Sequence, residues 1–211
     1  FGYSEKIVST PKMIEKVTEK IDSRVDQKIF LKSRLVDMLI SDWDRYEDQW
    51  RWASFEENGR KIYRPVPRDR DMVFFVNEGI LPWLSTRKFL LRKIQGLDYD
   101  IKDLRGLNTQ AQHLDRRFLN ELTREDWISA AENLIEAITD DVIEEALNAM
   151  PEQIAPISGS VIASKLRARR DQLEKYADEY YSILAVKTDV TGSDQDEFFS
   201  VERLSDSETR V

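Results

Sequence analysis

Acidic residues are concentrated in two short segments of the chain. Residues 42–50 carry four acids in nine positions, interleaved with arginine and tryptophan. Residues 67–71 read Pro-Arg-Asp-Arg-Asp and so alternate two arginines with two acids. Carboxylates bind Mg²⁺ together with phosphate and water oxygens, and arginine binds phosphate through two parallel hydrogen bonds. The two segments therefore hold the residue types of a metal–phosphate site.

The stretch between these segments predicts a β-hairpin over residues 50–66. Asn58-Gly59 separates two runs rich in aromatic and β-branched residues, and this dipeptide is the strongest short signal for a two-residue hairpin turn. Pro65 and Pro67 lack a backbone N–H, so they limit the second strand to an edge or an early end. Such a hairpin would bring the two acidic segments close together.

Three residues of the acidic segments have the types, order and spacing of the residues that protein kinases use for phosphoryl transfer. Those enzymes use a catalytic Asp, an amide five residues later that binds metal, and a further metal-binding Asp. Asp44, Gln49 and Asp69 follow that order. A chain with 40 acids also yields such matches by chance, and alternating Asp and Arg is typical of ion-pair networks. The residues alone therefore favour a structural network over a catalytic site.

Helical spacing of apolar residues predicts that most of the chain is α-helical. The predicted helices cover residues 10–21, 25–40, 81–93, 108–122, 124–138, 140–149 and 161–184. A change of composition after Ala185 predicts two short strands around residues 191–196. We interpret residues 1–185 as one helical unit carrying the hairpin, and residues 186–211 as the start of a β element that continues past the chain.

Composition limits the classes of partner. The net charge of −8 argues against a basic nucleic-acid-binding surface, so no nucleic-acid partner is expected. The only histidine, His113, cannot form a histidine-rich zinc site. The apolar runs are too short to span a bilayer, so contact with a membrane is expected only through an adjacent domain. The basic cluster over residues 165–170 is predicted to be a solvated helix face.

Several runs resemble a domain found in large Bacteroidetes envelope proteins. They cover residues 25–28, 34–40, 42–45, 49–52 and 67–71. The resemblance extends to Leu173 and to residues 188–192, which is most of the chain. Such proteins often pair a calcineurin-like metallophosphoesterase region with a C-terminal outer-membrane barrel of the surface-antigen type. The resemblance implies a periplasmic location in the cell envelope, with upstream and downstream domains of the same polypeptide as partners.

The two acidic segments more distantly resemble the active-site loops of atypical kinases, such as the spore-coat CotH kinases and the HipA-type kinases. This resemblance implies a mainly α fold like the C-lobe of a kinase, with one central β-hairpin and a short C-terminal β segment. It makes Asp44 the catalytic residue and implies Mg²⁺ and ATP as cofactors. Gln49 and Asp69 would bind the metal, with Asp71 as a helper ligand or a structural acid.

Two arginines complete the site that this resemblance implies. Arg45 and Arg70 would pair with the carboxylates or with the phosphates of the nucleotide. The sequence departs from the kinase pattern at Tyr46, where His is expected, and at Gln49, where Asn is usual. No glycine-rich phosphate loop precedes the motif, so the nucleotide-binding lobe is expected upstream or is absent.

Two hypotheses of different classes follow. The first is a phosphotransferase-related domain that binds a divalent metal and a nucleotide at the acidic segments. The second is a non-catalytic structural module that links a phosphoesterase region to an outer-membrane barrel. In the second, the Asp-Arg cluster is an internal ion-pair network. The first requires the carboxylates of Asp44 and Asp69 to converge in an open cleft, and the second requires the same segments to be closed by arginine.

Overall fold

The computed structural model describes residues 3–75, 92–206 and 208–210. Helices account for about 47% of these residues, and the strands form one four-stranded and one two-stranded sheet. Helices and the central hairpin are present as predicted, but the fold is α/β and not mainly α, because the hairpin is part of a four-stranded sheet. None of the helices in the described ranges is both long and apolar enough to cross a membrane.

The described residues form eight α-helices and six β-strands. The helices are α1 (Thr10–Glu19), α2 (Gln27–Leu39), α3 (Leu104–Leu107), α4 (Gln112–Phe118), α5 (Arg124–Ala137), α6 (Asp140–Asn148), α7 (Ser160–Arg170) and α8 (Leu173–Ala185). The strands are β1 (Lys6–Ser9), β2 (Ser23–Val25), β3 (Trp50–Glu57), β4 (Arg60–Pro67), β5 (Glu202–Arg203) and β6 (Thr209–Arg210). A short 3₁₀ turn spans Glu47–Gln49, and a π-helical turn spans Ala155–Gly159.

The predicted hairpin is β3 and β4. Its turn places Asn58 and Gly59 at φ 54° and 72°, which matches the two positive φ angles of a type I′ turn. Two further strands extend it into a sheet of order β1-β3-β4-β2, with β1 antiparallel to β3 and β2 parallel to β4. Strands β1 and β2 have four and three residues, too few for a visible alternation of apolar and polar positions.

The prolines of β4 have the predicted effect. Strand β2 pairs only with residues 61–63, so the half of β4 that contains Pro65 has no strand on that side among the described residues. Pro67 is the last residue of the strand. The sheet therefore tolerates both prolines, because no neighbouring strand on that side needs a hydrogen bond from a backbone N–H at either position.

Two helix starts show different local chemistry. Thr123 and Asp126 form a reciprocal capping box at the start of α5. Thr10, by contrast, is the first helical residue of α1 and not its cap. Its hydroxyl donates to the Glu47 carbonyl oxygen at 2.8 Å and accepts from Nε1 of Trp52 at 3.0 Å. Thr10 thus ties α1 to the base of the hairpin.

Several predicted boundaries differ from the structure. The helix predicted over residues 108–122 is limited to α4, and the long helix over residues 161–184 is interrupted between Arg170 and Leu173. The two short strands predicted on either side of residues 191–196 are wrong in position. Residues 186–201 contain no strand, and the two strands of this region, β5 and β6, lie further along the chain. The helix predicted over residues 81–93 lies outside the described residues, apart from 92 and 93.

The hairpin packs on α2 through aromatic side chains. Phe30 on α2 lies with its ring centroid 5.1 Å from that of Trp50 and 5.4 Å from that of Trp52. All three side chains are fully buried, and burial of such side chains contributes about 1.5–3 kcal/mol each. This contact fixes the base of the hairpin, and with it both acidic segments, against one helix.

Candidate functional site

The C-terminal half of α2 places two charged residues in the core. Arg34 and Asp37 are three positions apart and therefore lie on the same face of the helix. Both side chains are almost completely buried, at 1% and 0% exposure. Nη1 of Arg34 donates to Oδ2 of Asp37 at 2.7 Å. Because an isolated buried charge is very costly, this pair requires further partners.

Arg34 connects α2 to the helical half of the molecule. Its Nε donates to both carboxylate oxygens of Asp115 on α4, at 2.9 and 3.2 Å, and its Nη2 donates to Oδ1 of Asn108 at 2.6 Å. The hydroxyl of Tyr180 on α8 donates to Oδ2 of Asp115 at 2.7 Å. Burial lowers the pKa of Arg34, but the carboxylates of Asp115 and Asp37 outweigh it and raise the pKa overall. Arg34 therefore stays charged.

Asp37 connects α2 to both acidic segments. Nη2 of Arg70, in the segment after the hairpin, donates to Oδ1 of Asp37 at 2.7 Å. Nε of Arg45, in the segment before the hairpin, lies 3.3 Å from Oδ2 of the same carboxylate. Together with Arg34, three arginines from three parts of the chain therefore converge on one buried aspartate.

Arg45 also holds the two ends of the hairpin together. Its Nη1 donates to the Arg68 carbonyl oxygen at 2.7 Å, and its Nη2 donates to the Gln49 carbonyl oxygen at 3.1 Å. The guanidinium lies over the Trp50 ring, 4.4 Å from its centroid, in a cation–π contact. Burial is the main cause that lowers the pKa of Arg45. Both Nη atoms of Arg45 are thus used by the protein itself, whereas Nε is buried and donates no hydrogen bond to a described residue.

Asp42 is the least satisfied member of this cluster. Its side chain is buried, with Oδ2 3.5 Å from Nη1 of Arg45 and 3.9 Å from Nε of Arg70. Neither carboxylate oxygen accepts a hydrogen bond from a described residue. Burial and then the nearby charge of Asp37 raise the pKa of Asp42 to about 6, against the opposing effect of Arg45 and Arg70.

A fourth arginine caps the end of α2. Nη2 of Arg169 donates to the Met38 carbonyl oxygen at 2.7 Å, and Nη1 donates to the hydroxyl of Ser41, a residue in the left-handed region at φ 60°. A cation at this end of a helix also complements its dipole. Burial lowers the pKa of Arg169 to about 10. The prediction that residues 165–170 form a solvated face is wrong for Arg169, which is 1% exposed.

We name these connected residues the Asp37 network. Its members are Arg34, Asp37, Asp42, Arg45, Arg70, Asn108, Asp115 and Tyr180. They come from α2, from both acidic segments, from α4 and the turn before it, and from α8. The network therefore joins the sheet side of the molecule to its helical side through buried polar contacts.

The predicted site residues have different positions relative to this network. Asp44 is half-buried, whereas Asp69 and Asp71 are exposed, and Asp69 adopts a left-handed backbone conformation at φ 51°. Gln49 is buried, and its carbonyl oxygen accepts from the Arg68 N–H at 2.9 Å as well as from Arg45. Within residues 3–75, 92–206 and 208–210, no three carboxylate or imidazole side chains are grouped so that they could hold a metal ion.

The arginines predicted to face phosphate have partners inside the protein. Arg45 and Arg70 pair with Asp37 and Asp42, and no ion pair or hydrogen bond joins either of them to Asp44 among the described residues. The hairpin does bring the two acidic segments to one place, as predicted. What they share there is a closed set of ion pairs centred on α2.

The residues at the centre of this network are not among the predicted site residues. Arg34 and Asp37 stand within the apolar stripe of α2, next to Leu35 and Met38. Two opposite charges three positions apart inside a buried face indicate an internal pair, because a charged residue is almost never buried alone. That signal was available. The identity of Asp115 as the partner was not, because it depends on the packing of α4 against α2.

Comparison with known proteins adds no relative to these observations. The chain matches no protein-family model, and searches of curated proteins and of solved structures found no significant match.

Proposed function

We propose that this chain is a non-catalytic structural module of a larger envelope protein. In this role it links neighbouring domains of the same polypeptide, as between a periplasmic phosphoesterase region and an outer-membrane barrel. The supporting observation is the closed arrangement of Arg45 and Arg70 on Asp37 and Asp42. The groups that would have to bind a nucleotide are used to hold the protein's own segments together.

The energetics of the Asp37 network fit a role in specifying structure. A buried ion pair is not a large net source of stability compared with apolar packing, because both charges must be desolvated. Loss of one partner is nevertheless costly, since it leaves a buried charge unpaired. A network of this kind therefore favours one arrangement of α2, the hairpin base and α4 over alternatives. A linking module needs that property if it is to hold the domains at its ends in a fixed relation.

A second candidate is a kinase-like phosphotransferase that uses Mg²⁺ and ATP. One observation favours it: Asp44 is half-buried beside the hairpin base and has no hydrogen-bond or ion-pair partner among the described residues. In this proposal Asp44 would accept the proton of the acceptor hydroxyl. Two carboxylates with phosphate oxygens are a suitable donor set for Mg²⁺, and Gln49, Asp69 and Asp71 would contribute to it.

The second candidate carries a specific difficulty. For Arg45 or Arg70 to bind nucleotide phosphates, each would have to release Asp37 or Asp42, which are buried. Release would remove one of the counter-charges of a buried carboxylate, which is unfavourable because a buried charge depends on its partners. The structural module requires no such rearrangement, and we therefore prefer it.

The two candidates are separated by calorimetry and complementation with the full-length protein. We expect no saturable heat on titration of Mg²⁺ alone or of Mg²⁺ with ATP. We also expect full-length protein carrying both Asp44→Asn and Asp69→Asn to restore growth or envelope integrity in a strain that lacks it. Asp37→Ala should fail to do so, because it opens the network. Asp48→Ala, at an exposed position that belongs to neither candidate site, is the matched control. Saturable binding of Mg²⁺ and ATP that Asp69→Asn abolishes would contradict the structural module and favour the phosphotransferase.

A further inference from the structure

The two helices that pack on the main sheet both lie on one side of it. Residues along a strand alternate between the two faces of a sheet, and the buried rings of Trp50 and Trp52 define the inner face, which packs on Phe30 of α2. Helix α1 lies on the same side, because Thr10 accepts a hydrogen bond from Nε1 of Trp52. The opposite side, which we name the outer face, is therefore available for contact with another molecule.

The outer face contains an apolar patch. Residues directly opposite each other in paired strands share a face, so the register of β3 with β1 and β4 identifies the members of this patch. They are Ile7, Ala53, Phe55, Ile62 and Val66. Ala53 and Ile62 are buried, Phe55 and Val66 are half-buried, and Ile7 is 45% exposed. The patch thus offers partly exposed apolar surface to a partner.

The same face is basic. The strand pairing places four arginines and one glutamate on it, and Arg64 is neutralised by Asp26 and Glu57 at 3.1 and 2.6 Å. The other three arginines make no ion pair with any described residue, and they are Arg24, Arg51 and Arg60. The whole chain has a net charge of −8, so its acidic parts are attracted to this face by charge.

Residues 193–199 have the complementary chemistry, and we name them the Phe198 loop. They include Asp194, Asp196 and Glu197, all at exposed positions. Phe198 follows these acids directly and is 92% exposed. An aromatic ring in water gains free energy when a partner covers it. The loop therefore presents an apolar ring beside negative charge, and the outer face presents apolar side chains beside positive charge.

The Phe198 loop has a defined position in the fold. The Ser193 hydroxyl donates to Oε1 of Glu197 at 2.7 Å, which closes the loop. The Asp194 N–H donates to the Thr18 carbonyl oxygen at 2.8 Å, which holds the loop against α1. The loop is therefore anchored to a helix of the inner side, whereas the unpaired arginines lie on the outer side. This arrangement favours a contact between two copies over a contact within one.

We propose that the outer face binds the Phe198 loop of a second copy of this chain. Phe198 of one copy packs on Ile7 and Phe55 of the other, and the carboxylates of Asp194 and Asp196 face the unpaired arginines. Each copy keeps one free face and one free loop, so the contact is head-to-tail and continues to further copies. Neither surface includes the Asp37 network or the acidic segments, so this inference does not depend on the proposed function.

Sedimentation equilibrium of the full chain over a wide range of protein concentration is the test. One loop on one sheet face is a small interface, so the association is weak and requires high concentration. We expect the average mass to rise beyond that of a dimer, and the rise to diminish at high salt. Phe198→Ser should weaken the association about tenfold or more, the worth of burying one phenylalanine. Ile157→Ser, which removes another exposed apolar side chain, should not weaken it.

A mixture of two defective variants identifies a head-to-tail contact. Arg24→Glu combined with Arg60→Glu impairs the outer face and keeps the loop, whereas Phe198→Ser impairs the loop and keeps the face. Each variant alone should stay monomeric where the wild type associates. An equal mixture should form a one-to-one dimer and nothing larger, because only one loop and one face remain competent. Lys32→Glu combined with Arg105→Glu, at exposed positions elsewhere, is the matched control and should associate like the wild type.

Four results would overturn the proposal. They are a wild type that stays monomeric at every concentration, association that Phe198→Ser leaves intact, and a mixture of folded variants that contains no dimer. The fourth is binding of a monomeric chain to phosphatidylglycerol vesicles through Arg24 and Arg60, which would assign the outer face to an anionic membrane surface. Phe198 is almost fully exposed, so its replacement leaves the fold intact and decides the question even if the double arginine variant does not fold.

Discussion

Oδ2 of Asp42 lies 3.5 Å from Nη1 of Arg45, yet neither oxygen of this buried carboxylate accepts a hydrogen bond from a described residue. The two side chains attract each other by charge, but the donors of Arg45 are directed to the carbonyl oxygens of Gln49 and Arg68. The charged form of Asp42 is therefore only partly compensated for its burial, and the pKa of Asp42 is raised to about 6.

Asp42 should make the stability of the protein depend on pH. Its pKa in the folded state is about 6, above the ordinary 3.8, so the folded protein holds this proton more tightly than the unfolded chain does. The contribution of Asp42 is therefore most favourable below about pH 4 and is lost as pH rises to about 6. Near pH 7.5, Asp42→Asn should raise the free energy of unfolding measured in urea by about 1–3 kcal/mol relative to the wild type. Near pH 4, the variant and the wild type should be equally stable.

The control for this prediction is Asp71→Asn, which removes an exposed carboxylate from the acidic segment after the hairpin. Its difference from the wild type should be small at both pH values. The explanation through Asp42 would be wrong if Asp42→Asn changed the free energy of unfolding by the same amount at both pH values.

Asp37 should be the most sensitive single residue in the network. Replacement by Ala leaves Arg34, Arg45 and Arg70 without their shared carboxylate. Breaking a buried pair on one side costs about 3–5 kcal/mol, so Asp37→Ala should lower the urea midpoint strongly. Asp98→Ala is the comparison, because Asp98 pairs with Lys102 at 2.7 Å on the surface, where such pairs contribute about 1 kcal/mol or less. Similar losses in both variants would contradict a central role for Asp37.

The sequence predicted those features whose causes lie in neighbouring residues. The hairpin follows from Asn58 and Gly59, because the turn type depends on the φ angles that these two residues accept. The start of α5 follows from Thr123 and Asp126, because both partners of the capping box are three positions apart. These interactions need no knowledge of the rest of the fold.

The ion-pair partners could not be predicted in the same way. Arg34 and Asp115 are 81 positions apart, and Asp37 and Arg70 are 33 positions apart. Which carboxylate an arginine meets over such distances is decided by helix packing and by the placement of the hairpin on α2. For that reason the acidic segments could be predicted to meet, while the residue at their centre, Asp37 on α2, was not selected.

Arg169 should control the local stability of the end of α2. It donates to the Met38 carbonyl oxygen and to the Ser41 hydroxyl, so Arg169→Ala leaves both without this buried donor. We expect a loss of about 2 kcal/mol in the free energy of unfolding, typical of hydrogen bonds that involve a charged group. Amide hydrogen exchange at Ser41 and Asp42 should accelerate more than exchange in β3. Arg105→Ala, at an exposed position, should change neither, and unchanged exchange in Arg169→Ala would refute the capping role.

Two glycines should respond oppositely to replacement by alanine. Gly59 sits in the hairpin turn at φ 72°, a conformation that costs an L-residue about 1–2 kcal/mol, so Gly59→Ala should lower the melting temperature. Gly159, which precedes α7, has helical angles of φ −56° and ψ −51°, and a methyl group there meets no atom within 4 Å. Gly159→Ala should therefore stabilise the protein by about 0.4–1 kcal/mol, because it restricts the unfolded chain. Thermal unfolding of both variants checks this, with shifts of about 2–4 °C per kcal/mol for a chain of this length. A shift of the same sign in both variants would mean that backbone conformation does not decide the effect.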